Sequence, residues 1–209
     1  LIPGKETGVM LFGSPVSGAT YAVALSAGRA NKDAQNDKPD FVARGTINAT
    51  KVFLGDDSIV THLGLGYSTG ELKGMTPASA RTETRASSAF FQSESALTGP
   101  VTRQRLGFEG AVAYEALKVQ GEYFDFKYEG ENRTDKIKGY YAQVVYNLTG
   151  EKHNYSNSSG TFGWIKPNKP FSLTNGGLGA WQVGLRFSNF DAGGVEVASG
   201  KTNKADSTS

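Results

Sequence analysis

The chain has 209 residues, 27 glycines, no cysteine and a formal net charge of +2 at pH 7. The lack of cysteine excludes disulfides, thiolate metal centres and thiol nucleophiles, and a charge this close to zero supplies no field to gather nucleic acid. With a hydrophobic fraction of 38% and no run approaching about 18 apolar residues, a bundle of membrane helices is excluded, but a membrane β-barrel is not, because strict alternation halves the apparent hydrophobicity.

The opening LIPGKETG has no basic-plus-apolar leader, so the chain reads as a mature product or an internal piece. Gly8 to Ser14 is a short strand and Pro15 to Gly18 a tight turn. Thr20 to Arg29 places Tyr21, Val23, Leu25 and Ala27 on one face. Ala30 to Lys38 is a polar loop. Asp40 to Lys51 alternates Phe41, Ala43 and Ile47 against Arg44, Thr46 and Asn48, and Gly55 to Asp57 turns the chain. In Ser58 to Gly70, Ile59, Leu63, Leu65 and Tyr67 oppose His62, Gly64, Gly66 and Ser68. Residues 71–100 have no clean period and read as a long outer loop.

From Arg103 to Gly150 the alternation is sustained over three strands. Leu106, Phe108, Val112 and Tyr114 oppose Arg103, Arg105, Glu109 and Glu115. Leu117, Val119 and Tyr123 oppose Lys118, Gln120 and Glu122, and Tyr140, Ala142, Val144 and Tyr146 oppose Gln143 and Asn147. Strands of about 12–15 residues exceed the usual five or six and suit a bilayer, which needs roughly 9–11. Residues 151–178 are irregular and too long for an ordinary turn on the side where they fall, which makes them a candidate for folding inward. Trp181 to Phe190 alternates once more, and 193–209 reads as a polar loop or tail.

This pattern predicts an all-β chain, a single antiparallel transmembrane β-barrel domain over 1–209 with about eight visible strands and no helix. Short and long connections alternate. If the short ones face the periplasm, Tyr21, Tyr114, Tyr146 and Trp181 fall near one membrane interface and Phe41, Tyr67, Tyr140 and Phe187 near the other, all on the apolar parity. The alternative is a soluble or secreted β-sandwich, or a non-conducting adhesive or structural envelope protein, in which aromatics are also common.

The segments Leu106–Phe124, Gly139–Tyr155, Phe162–Pro167 (FGWIKP) and Gly179–Asp191 (GAWQVGLRFSNFD) resemble the phosphate-selective porin O/P family, the TGE at Thr149–Glu151 followed by a KP and a glycine-led Trp strand being the most specific part. The resemblance implies a sixteen-stranded, usually trimeric barrel of the Gram-negative outer membrane that passes anions or other small solutes, with some loops folded into the lumen. About eight strands cannot close such a barrel, and open edges are not tolerated in lipid, so further strands are expected on both sides. The inferred lumen face carries Arg44, Arg103, Arg105, Lys118 and Arg186 as candidate pore-lining, anion-binding groups, interleaved with Glu109, Glu115 and Glu122. That interleaving favours general, mild anion passage over tight phosphate capture. Arg103 and Arg105, two residues apart, would form one step of an anion path, or Arg103 would pair with Glu109 or Glu115 and stiffen the wall.

No catalytic, metal or cofactor motif accompanies His62 or His153, and His62 reads as a water-facing polar filler. Five Asn-X-Ser/Thr triplets, at Asn48, Asn132, Asn147, Asn154 and Asn157, are set aside, since two lie inside strands. Arg81 and Arg85 face the pore entrance only if their loop folds inward. The expected surroundings are therefore outer-membrane lipid, small anions and two further copies of the chain, with no nucleic acid and no cofactor.

Overall fold

The computed structural model describes residues 7–27, 38–73, 75, 78–81 and 89–209. Its elements in order are β1 (Gly8–Val16), β2 (Ala19–Ser26), β3 (Asp40–Asn48), α1 (Ala49–Leu54), β4 (Ile59–Leu72), β5 (Ser79–Ala80), β6 (Phe91–Gln92), β7 (Val101–Tyr114), β8 (Leu117–Glu129), β9 (Thr134–Asn147), β10 (Tyr155–Ser156), β11 (Thr161–Phe162), β12 (Gln182–Asp191) and β13 (Lys204–Thr208). Nine of the strands form one sheet in the order β1-β2-β3-β4-β7-β8-β9-β12-β13, every neighbour antiparallel. The pairs β5-β6 and β10-β11 are separate two-stranded ribbons, and β1 and β13 are the edges of the main sheet.

Register follows from the hydrophobic parity. Val112, Val119, Val144 and Leu185 are successive cross-strand partners, as are Leu65, Phe108, Tyr123 and Tyr140. All of these side chains are exposed on the same side of the sheet. A slip of one residue in any strand would turn its apolar set to the other face. At about 3.3 Å per residue, the 14-residue strands β4, β7 and β9 are long enough to cross a hydrocarbon core of roughly 30 Å at a tilt. A contiguous apolar face of this extent marks a membrane or partner surface, not a wet one.

Three expectations are corrected. The strand read as Asp40–Lys51 ends at Asn48, and a six-residue helix follows where none was expected. Pairing with β4 stops at Asn48↔His62, which frees the next residues to coil. Gly55, at φ 69°, ends the coil and donates its N–H to the Lys51 carbonyl. The 193–209 tail is not all loop: Lys204–Thr208 pairs with Phe187–Asp191 as β13. The 71–100 loop contains the end of β4 and the ribbon β5-β6. The polar loop expected at Ala30–Lys38 lies almost wholly outside the described residues.

The buried core does not lie on the apolar face. Leu72, Phe91, Leu97, Val101, Tyr128, Ile137, Ala192 and Val195 cluster, with Phe124, Phe126 and Phe190 packed against them. On β7, β8, β9 and β12, Val101, Phe124, Phe126, Tyr128, Ile137 and Phe190 have the parity of the polar face. At the end of the sheet that bears the long connections, that face turns apolar, and the segments around 89–98 and 192–203 fold over it. Phe190 meets Phe90 at 5.2 Å and Phe91 at 5.1 Å between ring centroids. Asn132 and Arg133 tie the covering segment to the β8-β9 turn, donating to the carbonyls of Ala96 (3.1 Å) and Ser95 (2.7 Å).

Candidate functional site

The polar face has three zones. At the short-turn end it is covered by the β10-β11 hairpin, which belongs to the long link after β9. Tyr155 Oη lies 2.7 Å from His62 Nδ1 on β4. Asn157 accepts from Asn48 Nδ2 at 3.0 Å and donates to Asp57 at 3.0 Å. Lys118 Nζ sits 4.8 Å from the Phe162 ring centroid. Gly160, at φ 62°, lies so close to the sheet that a Cβ there would collide with the Thr46 hydroxyl; only glycine gives both this backbone and this approach. His62 is thus not water-facing but 5% exposed beneath the hairpin.

The same link is held at its root by buried polar groups. Asn147 on β9 donates to the Glu151 carbonyl at 2.7 Å and accepts from Gln182 at 2.7 Å. The His153 ring donates through Nε2 to the Ala116 carbonyl at 3.1 Å, a tautomer assigned from the acceptor it faces. Burial lowers the His153 pKa below 6.5, the hydrogen bond to Ala116 opposing the shift. The folded form therefore prefers the neutral ring. Its contribution to docking is complete above 6.5, the ordinary histidine value, and is lost as pH falls through the lowered value. Acidification is expected to lower the protection of backbone amides in the 151–163 link, measured relative to their intrinsic exchange rates at each pH, and His153→Gln to remove that loss of protection.

The middle zone is charged. Glu109 accepts from Arg44 Nη2 at 2.5 Å and lies 3.5 Å from His62 Nε2. Gly64 makes room for this carboxylate, since a Cβ there would meet it. Arg105 donates to Ser68 Oγ at 2.9 Å, so its partner among the described residues is a hydroxyl and not a carboxylate. The Arg186 guanidinium lies 3.5 Å from the Tyr141 ring centroid and donates to Ser188 at 3.1 Å and Gln143 at 3.3 Å. Tyr141 donates in turn to Glu122 at 2.6 Å.

At the long-connection end, Arg103 is ion-paired with the buried Asp40. Glu115, expected as a possible partner for it, is paired instead with Lys152 at 2.7 Å. Beside the apolar core a cavity of about 690 Å³ opens between the covering segments and the sheet, with Arg81, Tyr141, Arg186 and Ser188 among its lining. Arg85 lies outside the described residues.

The five sequence candidates thus share one face but not one environment. Arg44 and Arg103 face carboxylates, Lys118 is under the hairpin, and Arg105 and Arg186 occupy the middle. Sequence parity placed these side chains on a face but could not find Asp40, Tyr155 or the hairpin, because those meetings span 63, 93 and 116 residues of chain.

A nine-stranded antiparallel meander, apolar on one side and charged on the other, is the geometry of a porin wall, and comparison with known families decides which. The family model for phosphate-selective porin O and P matches residues 7–206. The chain belongs to this family. It is accordingly a protein of the Gram-negative outer membrane. A curated relative, Porin O of Pseudomonas aeruginosa, is 37% identical over 86 residues, a stretch that takes in 40% of this chain and 18% of the relative.

Proposed function

We propose that the sheet is one part of a closed barrel with the family's sixteen strands, assembled as a trimer, and that its polar face lines a passive diffusion path for small anions and other solutes. The observation that carries the reading is the strict division of the sheet, with exposed Val112, Val144 and Leu185 on one side and Arg105, Arg186 and Lys118 on the other. The edges support closure: β1 exposes Val9, Met10, Leu11 and Phe12, and an unpaired edge does not persist in hydrocarbon. The segments at 89–98 and 151–163 lie over the polar face from opposite ends, and in a closed barrel they would narrow the path.

The anion preference is mild and phosphate is not specially favoured. Glu109 offsets Arg44 and Asp40 offsets Arg103; the steps assigned to the anion are Arg105 and Arg186, both half-buried and set among hydroxyl, amide and ring groups. Arginine stays charged and can hold an oxyanion through two hydrogen bonds, but isolated steps also release it, as conduction requires. Planar-bilayer recording of the full-length protein in a chloride gradient tests this. The wild type is expected to give an anion-selective reversal potential, and Arg105→Glu to move it toward or past zero. An unchanged potential in the variant, a cation-selective wild type, or no conductance at all would overturn the proposal.

A further inference from the structure

The lipid-facing side carries a feature that conduction does not use. Followed from the long-connection end, the outward residues of β8 run Lys127, Asp125, Tyr123, Gly121, Val119, and those of β9 run Lys136, Lys138, Tyr140, Ala142, Val144. On β7 they run Gln104, Leu106, Phe108, Gly110, Val112. Three lysines therefore sit just beyond an aromatic row of Phe108, Tyr123 and Tyr140, where a headgroup region begins. Lys127 and Lys136 are direct cross-strand partners, an arrangement of like charges that destabilises a sheet. Two acids beside them soften it only in part: Lys127 reaches Glu129 at 2.7 Å and Lys138 reaches Asp125 at 3.3 Å, while Lys136 is exposed. The lysines and Asp125 border a concavity of about 350 Å³ that Tyr67 and Gln104 also line.

Beneath the aromatic row the same columns become small. Gly110 and Gly121 face each other across β7 and β8, and with Leu63, Leu65, Phe108 and Tyr123 they line an apolar notch of about 610 Å³. It lies roughly 20 Å along the strands from Lys127, at two residues per 6.6 Å or so. A basic rim above an apolar notch matches an amphiphile with an anionic head and a hydrocarbon tail.

We propose that Lys127, Lys136 and Lys138 bind the phosphorylated headgroup of an outer-leaflet lipid whose acyl chain lies over the Gly110–Gly121 notch. Free phosphate would satisfy the lysines alone, but it has nothing to place in the notch, so the lipid is the source favoured. The lysines act as point charges on long stems that reach up from the barrel wall. The inference rests on the outer-membrane barrel reading, with the long connections outward, but not on conduction.

Native mass spectrometry of the full-length protein in detergent tests it, with bis-phosphorylated lipid A, its dephosphorylated counterpart and inorganic phosphate as the probes. The phosphorylated lipid is expected to bind at least about tenfold more tightly than the dephosphorylated one, because three lysines face its phosphates. The triple variant Lys127→Gln, Lys136→Gln, Lys138→Gln should abolish that preference while leaving the reversal potential of the channel unchanged. If the triple variant does not fold, Lys136→Glu alone, at an exposed position, is expected to weaken phosphorylated lipid A severalfold. Equal binding of the two lipids, or undiminished binding by the variants, would overturn the site. Saturable inorganic phosphate binding without a lipid preference would overturn the choice of lipid. A channel that conducts normally while failing these tests would sink this inference and leave the porin reading intact.

Discussion

Phe91→Ala is expected to free the segment around 89–98 from the polar face. Phe91 is 1% exposed at the centre of the inner core and contacts the Phe190 ring. Truncating a fully buried aromatic costs about 3–5 kcal/mol through lost transfer energy and the cavity left behind. The segment keeps Leu97 in the same core, Phe90 against Phe190 at 5.2 Å and hydrogen bonds such as Lys201 Nζ to the Ala89 carbonyl at 2.6 Å, each bond worth about 1 kcal/mol net, so the substitution loosens the segment by removing its largest buried side chain. The loss falls on docking of this segment, not on the strand ladder. Limited proteolysis should cut the segment in the variant under conditions that spare the wild type, while the resistance of the main sheet to heat in detergent changes little. If the segment narrows the passage, single-channel conductance should also rise. Equal proteolytic resistance would show that other contacts hold it.

Val144→Arg tests the opposite face. Val144 is 45% exposed and lies between Val119 and Leu185 in the cross-strand row. In lipid that exposure is contact with hydrocarbon, and an arginine near the midplane is expected to cost about 2–4 kcal/mol. The same substitution at Gln143, one residue away on the polar parity, should cost far less, because its neighbourhood is already polar. Denaturant titration of the protein folded into bilayers measures both. Equal costs would mean that the two faces see the same solvent, and the membrane orientation would fail.

The pair of substitutions marks where sequence reasoning reaches. Period-two alternation placed Val144 outward and Gln143 inward without any structure, since a strand has only two faces and a membrane allows only one assignment. Strand length was legible for a similar reason, since sustained alternation over 14 residues marks one unbroken strand. The short helix at Ala49–Leu54 was missed because Ala49 and Thr50 continue the alternation while the ladder to β4 ends at Asn48. β13 was missed because its five residues, KADST, carry no apolar face and owe their extended form to pairing with β12.

What only the tertiary structure decided is how the polar face is used. Phe124, Phe126 and Phe190 break the polar parity of their strands, and their meaning depends on a loop that returns across the sheet to cover them. Whether Arg103 is available to an anion depends on Asp40, two strands away and 63 residues back. His62 is a buried latch and not a wetted filler because Tyr155 arrives from 93 residues downstream. Alternation along a strand records which solvent each side chain meets. It holds no record of which distant segment displaces that solvent, because such a contact is set by the path of the chain between them and not by the residues on either side.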